Sequence, residues 1–162
     1  MLETYLDAAH QADCAVPPAL LIAIGEVESR HGTVSATDDL VRGEAAGTSR
    51  HPVIEPAILG PRLDGTNGTA LVDADGDGVA GSEGDRARGL MQILPSTAAE
   101  LGINDPGMLQ DVRVAVSVAA AYLCRAGVEA DVRQAVLAYN PSAQYADRVL
   151  SAMSTYEALL AG

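Results

Sequence analysis

Helical pattern crowds both ends of this chain and deserts its middle. From Gly32 to Arg88 no hydrophobic period is sustained, and the stretch is rich in Gly, Asp, Pro and Thr. An idle connection runs about 4–6 residues, so so long an interruption is either functional or without fixed structure. What flanks it must supply the core. The 162 residues are about one domain's worth of chain, and 48% of them are apolar, enough for one sizeable core. Five tyrosines are the only aromatics, with no Phe and no Trp. A core of Ala, Val, Leu and Ile suits close-packed helices better than a β-sandwich. The expectation is an all-α, mainly helical chain, one domain over 1–162, with an irregular insertion at about 33–87.

The helices can be placed. Leu2, Tyr5, Leu6 and Ala9 recur at helical spacing. Pro17-Pro18 opens a stronger helix, because the first helical N–H has no partner to lose, and Gly32 is a natural stop. Pattern resumes near Arg88. Thr97-x-x-Glu100 resembles a capping box ahead of Leu101, with Gly102 closing that short helix. Asp111 starts the run Val112 through Cys124, so apolar that it predicts a helix buried on most sides, ending at Gly127. Asp131-x-x-Gln134 caps a further helix that Asn140-Pro141 ends, and a last one runs from about Pro141 to Leu160.

Ten arginines, no lysine and 22 carboxylates give a formal charge of −12. Such a surface repels phosphate backbones and anionic headgroups, which argues against nucleic acid and membrane as partners. No apolar run approaches the ~20 residues of a bilayer span, and the N-terminus lacks the basic and apolar regions of a signal peptide. Cys14 and Cys124 lie too far apart for a zinc pattern; they form either one disulfide or two buried thiols. His10 and His51 have no companions at ligand spacing, and His31 sits where a cation suits the end of its helix.

Glu28 is the residue most suited to chemistry. On a helical wheel it falls within roughly 20–80° of Leu20, Leu21 and Ile24, and about 160° from Glu26. A carboxyl group on an apolar face has its charged form penalised by desolvation, which raises its pKa toward that of a general acid working near neutrality. The plain alternative is a helix-end Glu that reaches water or pairs with Arg30.

Its company decides between them. Glu28-Ser29-Arg30-His31-Gly32 resembles the Glu-Ser signature of lytic transglycosylases, the lysozyme-like enzymes that cleave bacterial peptidoglycan. Arg88-Gly-Leu-Met-Gln-Ile-Leu-Pro-Ser-Thr-Ala98 resembles their Gly-Leu-Met-Gln segment, and Ala138-Tyr139-Asn140, followed by Tyr145 and Val149-Leu150, resembles their third motif. Cys14 before Pro17-Pro18, and Tyr122-Leu123-Cys124, are similar to a secreted branch found in high-GC bacteria. The resemblance covers about residues 14 to 150 and implies a lysozyme-like fold, with the insertion between the catalytic helix and the Gly-Leu-Met-Gln segment.

It also implies roles. Glu28 would protonate the glycosidic oxygen between N-acetylmuramic acid and N-acetylglucosamine. It would then act as base on the muramic C6 hydroxyl, which closes onto C1 to give a 1,6-anhydro product. Ser29 and Gln92 would hydrogen-bond the sugars, Met91 would line the floor of the groove, and Tyr139 would stand near Glu28 and orient it. Asn140 would bind substrate, although helix termination before Pro141 explains it without any ligand. A Cys14–Cys124 bridge would tie the segment before the catalytic helix to the end of the buried one. Peptidoglycan glycan strands would be the partner, the chain a monomer, and its location extracellular or in the cell wall, as an excised or virion-associated domain since no export signal is present.

One cofactor is suggested, for structure and not for chemistry. Asp73-x-Asp75-x-Asp77-Gly78 reproduces the first half of an EF-hand calcium loop, with Val79 in place to offer its carbonyl. Position twelve is Gly84, so Asp85 or Glu83 would have to close the loop over 73–85. Calcium and a solvated acidic turn both remain open. Two rival functions follow. One is a hydrolytic muramidase in which Asp85 or Glu83 holds a water; the other is a non-catalytic, calcium-dependent wall-binding module.

Overall fold

A computed structural model describes residues 1–33, 44–45, 54–55 and 57–162. Among the described residues six α-helices carry the architecture: α1 (Leu2–Gln11), α2 (Pro18–Ser29), α3 (Pro95–Glu100), α4 (Val112–Arg125), α5 (Val132–Tyr139) and α6 (Ala143–Ala161), with a 3-10 turn at Pro106–Gln110. The chain is mainly helical, as its composition requires. The one ladder among the described residues joins β1 (Glu44–Ala45) to β2 (Ile54–Glu55), antiparallel, pairing Glu44 with Glu55 and Ala45 with Ile54. Between residues 57 and 94 only isolated bridges occur, Leu59 to Arg88, Asp64 to Leu71 and Arg88 to Ile93. The rest of the expected insertion (34–43, 46–53 and 56), with His51, lies outside the described residues.

Helix α2 runs through the middle of the core. Every residue from Ala19 to Gly25 is buried, so it is surrounded on all sides by α1, α4 and α6. α4 packs on α1 and presents Val112, Val116, Ala119, Ala120 and Leu123 inward. The buried side chains form one aliphatic cluster in which Tyr5 and Tyr145 are the buried aromatics. Each fully buried Leu, Ile or Val contributes roughly 1.5–3 kcal/mol against its conformational cost, so many modest terms hold the helices.

Local chemistry sets the helix ends. Pro17 and Pro18 start α2. The Asp111 carboxylate accepts from the N–H groups of Arg113 and Val114, the Asp131 carboxylate from Gln134, and the Ser142 hydroxyl from Tyr145. The expected capping box at Thr97 is not formed: α3 begins two residues earlier, at Pro95, whose fixed φ is already helical, and Thr97 lies inside the helix. Gly102 does close it, at φ +88°. Cys14 and Cys124 are joined in a disulfide with Cα atoms 5.6 Å apart. It pins the α1–α2 link to the last turn of α4.

Candidate active site

The last turn of α2 carries Glu28, one helical turn beyond the fully buried Ile24. The side chain is half-buried. Burial is the largest influence on its carboxyl group and pushes the pKa up to about 7, from an ordinary value near 4.5. Two neighbours on α6 pull the other way. The Tyr145 hydroxyl donates to Glu28 Oε1 at 2.6 Å, and the charge of Arg148 also favours the ionised form. Desolvation wins, and the group is left titrating near neutrality. Burial and the Glu28 charge together raise Tyr145 far above the ordinary tyrosine range, so it stays a donor at all working pH values.

Ser29, expected to bind sugar, turns inward. It is 1% exposed; its hydroxyl donates to the Leu90 carbonyl at 2.7 Å and accepts from Gly32 N–H at 2.9 Å. The hydroxyl's single proton is spent inside the protein. Ser29 thus fastens the end of α2 to the Gly89–Gln92 segment instead of meeting a ligand. His31 also departs from expectation. α2 ends at Ser29, and burial pushes the His31 pKa below its ordinary value, so it is no helix-end cation.

The Gly-Leu-Met-Gln segment is a tight reversal in which Arg88 and Ile93 exchange backbone hydrogen bonds at 2.9 and 3.1 Å. Glycine is required at its start. Gly89 has φ +72°, and a Cβ there would stand 1.8 Å from the Leu109 carbonyl oxygen. Gln92 takes a left-handed φ of +48°, which its own side chain braces by donating from Nε2 to the Gly89 carbonyl at 2.8 Å. Met91 is wholly buried, and its carbonyl accepts from the Tyr139 hydroxyl at 2.7 Å. Tyr139, the last residue of α5, therefore orients the reversal and not Glu28. The hydroxyl on Glu28 belongs to Tyr145. Glu28 and Tyr139 are close enough for the charge of one to raise the pKa of the other, after the larger effect of burial.

Beside this group lies a cleft of about 270 Å³ bounded by Gln92, Ile93, Leu94, Thr97, Tyr122, Ala138, Tyr139 and Pro141. Its aromatic wall is built from Tyr122 and Tyr139, set edge to face with centroids 5.4 Å apart. Glu28, Met91 and Asn140 do not line it. Asn140 caps α5 through its backbone, donating to Val136 O at 3.0 Å ahead of Pro141.

In the acidic loop, Asp73, Asp75 and Asp85 each bring a carboxylate oxygen within 4.8 Å of the others. Asp77 and Val79 stand outside this group, and Val79 is exposed. Asp85 is fully buried and accepts backbone N–H groups from Ala74, Asp75 and Ser82, which hold its pKa below the ordinary value against burial. Asp73 accepts from Gly76 and Gly78. One oxygen from each is three of the six to eight that calcium takes, and backbone N–H groups engage all three carboxylates. Glu83 is bound by Arg62 and Arg86. Both carboxylates are engaged within the loop, Glu83 by the two arginines and Asp85 by backbone N–H groups.

A family model described as the transglycosylase SLT domain matches residues 59–158. No curated protein and no solved structure matches the chain. The matched stretch contains the Gly89–Gln92 reversal, Tyr139 and Tyr145, and it begins after Glu28.

Proposed function

The chain belongs to the transglycosylase SLT domain family, and from that premise we propose that Glu28 alone serves as acid and then base in cleaving the bond between N-acetylmuramic acid and N-acetylglucosamine. The family carries a lytic transglycosylase type of activity on peptidoglycan; the bond, the product and the residues are our reading. In the first step the protonated Glu28 carboxyl gives its proton to the glycosidic oxygen as the C1–O bond breaks. In the second, the resulting carboxylate takes the proton of the muramic C6 hydroxyl, whose oxygen bonds to C1 and closes a 1,6-anhydro ring. The proton lost is regained and no water enters. One carboxylate suffices because the nucleophile is part of the substrate, whereas hydrolytic glycosidases need a second.

The observation that carries this reading is a half-buried carboxyl held by a tyrosine hydroxyl at 2.6 Å, its pKa pushed up to about 7 by burial. At neutral pH it is protonated about half the time, which suits a group that must both give and take a proton. Tyr145 orients it, and Gln92 and Tyr139 present the cleft to the sugars. The chemistry asks for no cofactor. A calcium ion taking three oxygens from Asp73, Asp75 and Asp85, and the rest from water and backbone carbonyls, would stiffen the loop by offsetting carboxylate repulsion. The disulfide supports an extracellular or cell-wall location, since such bonds persist outside the reducing cytosol, and we read the chain as acting there as a monomer. The test is release of soluble fragments from purified cell walls by wild type and by Glu28→Gln, which keeps the shape and loses the proton. We expect at least a hundredfold loss. Full activity in the variant would overturn the assignment.

A further inference from the structure

Immediately after Ser29 the chain takes three left-handed residues in a row, Arg30, His31 and Gly32, at φ +48°, +56° and +77°. Residues with a Cβ adopt that conformation only where their surroundings impose it. Around His31 the surroundings are a line of hydrogen bonds through three helices. His31 Nδ1 lies 2.9 Å from the Tyr5 hydroxyl on α1, and Nε2 lies 3.2 Å from the Tyr156 hydroxyl on α6. The Glu26 side chain on α2 is near enough to help raise the Tyr156 pKa, after the larger effect of burial.

The direction of each bond follows from proton counting. Tyr5 is 1% exposed and, among the described residues, its hydroxyl is bonded to Nδ1 alone, so its proton goes to Nδ1. A neutral imidazole that accepts at Nδ1 carries its proton at Nε2, which donates to the Tyr156 hydroxyl. Both tyrosine rings meet the imidazole edge-on, with centroids 5.7 and 6.2 Å away. Room for this depends on Gly25, where a Cβ would stand 2.1 Å from the Tyr5 hydroxyl oxygen. The chemistry assigned to Glu28 uses none of it.

We propose that His31 is a positioning residue for Glu28: hydrogen-bonded at both ring nitrogens, it locks the end of α2 between α1 and α6 and so holds the Glu28 carboxyl against Tyr145. The proposal rests on Glu28 being the acid. Ser29 fastens the same turn to Leu90, so the α2 terminus is held on two sides.

The lock is open to acid. The ionisable groups around His31 are the Met1 amine and Tyr5 from α1, Glu26 and Arg30 at α2, and Asp147, Arg148 and Tyr156 on α6. Burial disfavours the imidazolium more than the Glu26 charge favours it. A proton arriving at Nδ1 would face the Tyr5 hydroxyl donor to donor. Tyr5 is 1% exposed, and its displaced proton would have no water to receive it.

The test follows nitrogen-15 shifts of His31 and the side-chain carboxyl carbon-13 shift of Glu28 across pH, with kcat and KM on soluble glycan fragments, in wild type, Tyr5→Phe and His31→Gln. We expect a wild-type His31 protonated at Nε2 alone at pH 7. Tyr5→Phe removes the bond to Nδ1, so it should raise the His31 midpoint by at least half a pH unit and move the acid limb of kcat upward with it. His31→Gln should lower kcat at least tenfold, leave KM within twofold, and draw the Glu28 midpoint down from about 7. A wild-type His31 protonated at Nδ1 would overturn the proposal, as would folded variants with an unchanged Glu28 midpoint and unchanged kcat. Should His31→Gln fail to fold, Tyr5→Phe and the wild-type spectrum decide. If wild type cuts no glycan, the Glu28 chemistry falls, and the carboxyl titration alone judges whether His31 holds Glu28.

Discussion

Replacing Glu28 by Gln should make the protein more stable, and only above a certain pH. In the folded chain the carboxyl titrates at about 7; unfolded, it returns to about 4.5. Below pH 4.5 both states hold the proton and the group is neutral to stability. As pH rises from 4.5 to 7 the unfolded chain gives up its proton first, so unfolding is favoured, and above 7 the penalty is constant. At about 1.4 kcal/mol per pH unit the gap is worth about 3 kcal/mol, and about 2 once solvent around a half-buried side chain is allowed for. Gln has no proton to lose and can still accept from Tyr145. Urea unfolding of both proteins from pH 4 to pH 8 measures the difference directly. The curves should meet at pH 4 and separate to about 2 kcal/mol by pH 8, with Gln the more stable. His31 and the other groups titrate in both proteins and cancel. Curves that stay parallel over the whole range would refute the claim that burial disfavours the Glu28 anion.

Three further outcomes follow from the same geometry. Tyr145→Phe removes a hydrogen bond that favours the ionised carboxyl, so the alkaline limb of the pH–rate profile should move above 7 while kcat falls. Ser29→Ala leaves the buried Leu90 carbonyl short of a partner, while Gly32 N–H keeps the Ser29 carbonyl, and should cost about 1–3 kcal/mol in denaturant unfolding. Paired Cys14→Ser and Cys124→Ser substitutions open a link between residues 110 apart in sequence and should cost about 4–5 kcal/mol by the loss of chain constraint.

Much of the fold was legible because it rests on local chemistry. Pro17-Pro18, Asp111, Asp131 and Gly102 act on the residues beside them, and each marks the boundary where it should. The Thr97 pattern failed because Pro95, two residues upstream, presets the helical φ and starts α3 first. Helical periodicity made Glu28 a candidate, with Leu21 and Ile24 buried on the same face, and the resemblance of its neighbours decided for it over a helix-end pair with Arg30. Contacts between distant segments were not legible. A sequence shows a serine next to a glutamate; it does not show that the Leu90 carbonyl, 61 residues away, will take its proton. For the same reason the orienting role fell on Tyr139 when the Tyr145 hydroxyl is the one on Glu28: both tyrosines are visible, but only the packing of α6 on α2, and of α5 on α6, decides which hydroxyl reaches Glu28. His31 read as a helix-end cation because its partners Tyr5 and Tyr156 come from the two ends of the chain. Asp73 and Asp75 join Asp85 while Asp77 does not, because backbone N–H groups shape that loop as much as carboxylate spacing does.

The most direct measurement is the mass of the sugar released at the cut end when wild type and Glu28→Gln digest purified peptidoglycan. A lone carboxyl that returns its proton through the substrate's own hydroxyl predicts muramic ends one water lighter than hydrolysed ones, and none from the variant. Ends carrying the full mass of water, or the same anhydro ends from Glu28→Gln, would contradict it.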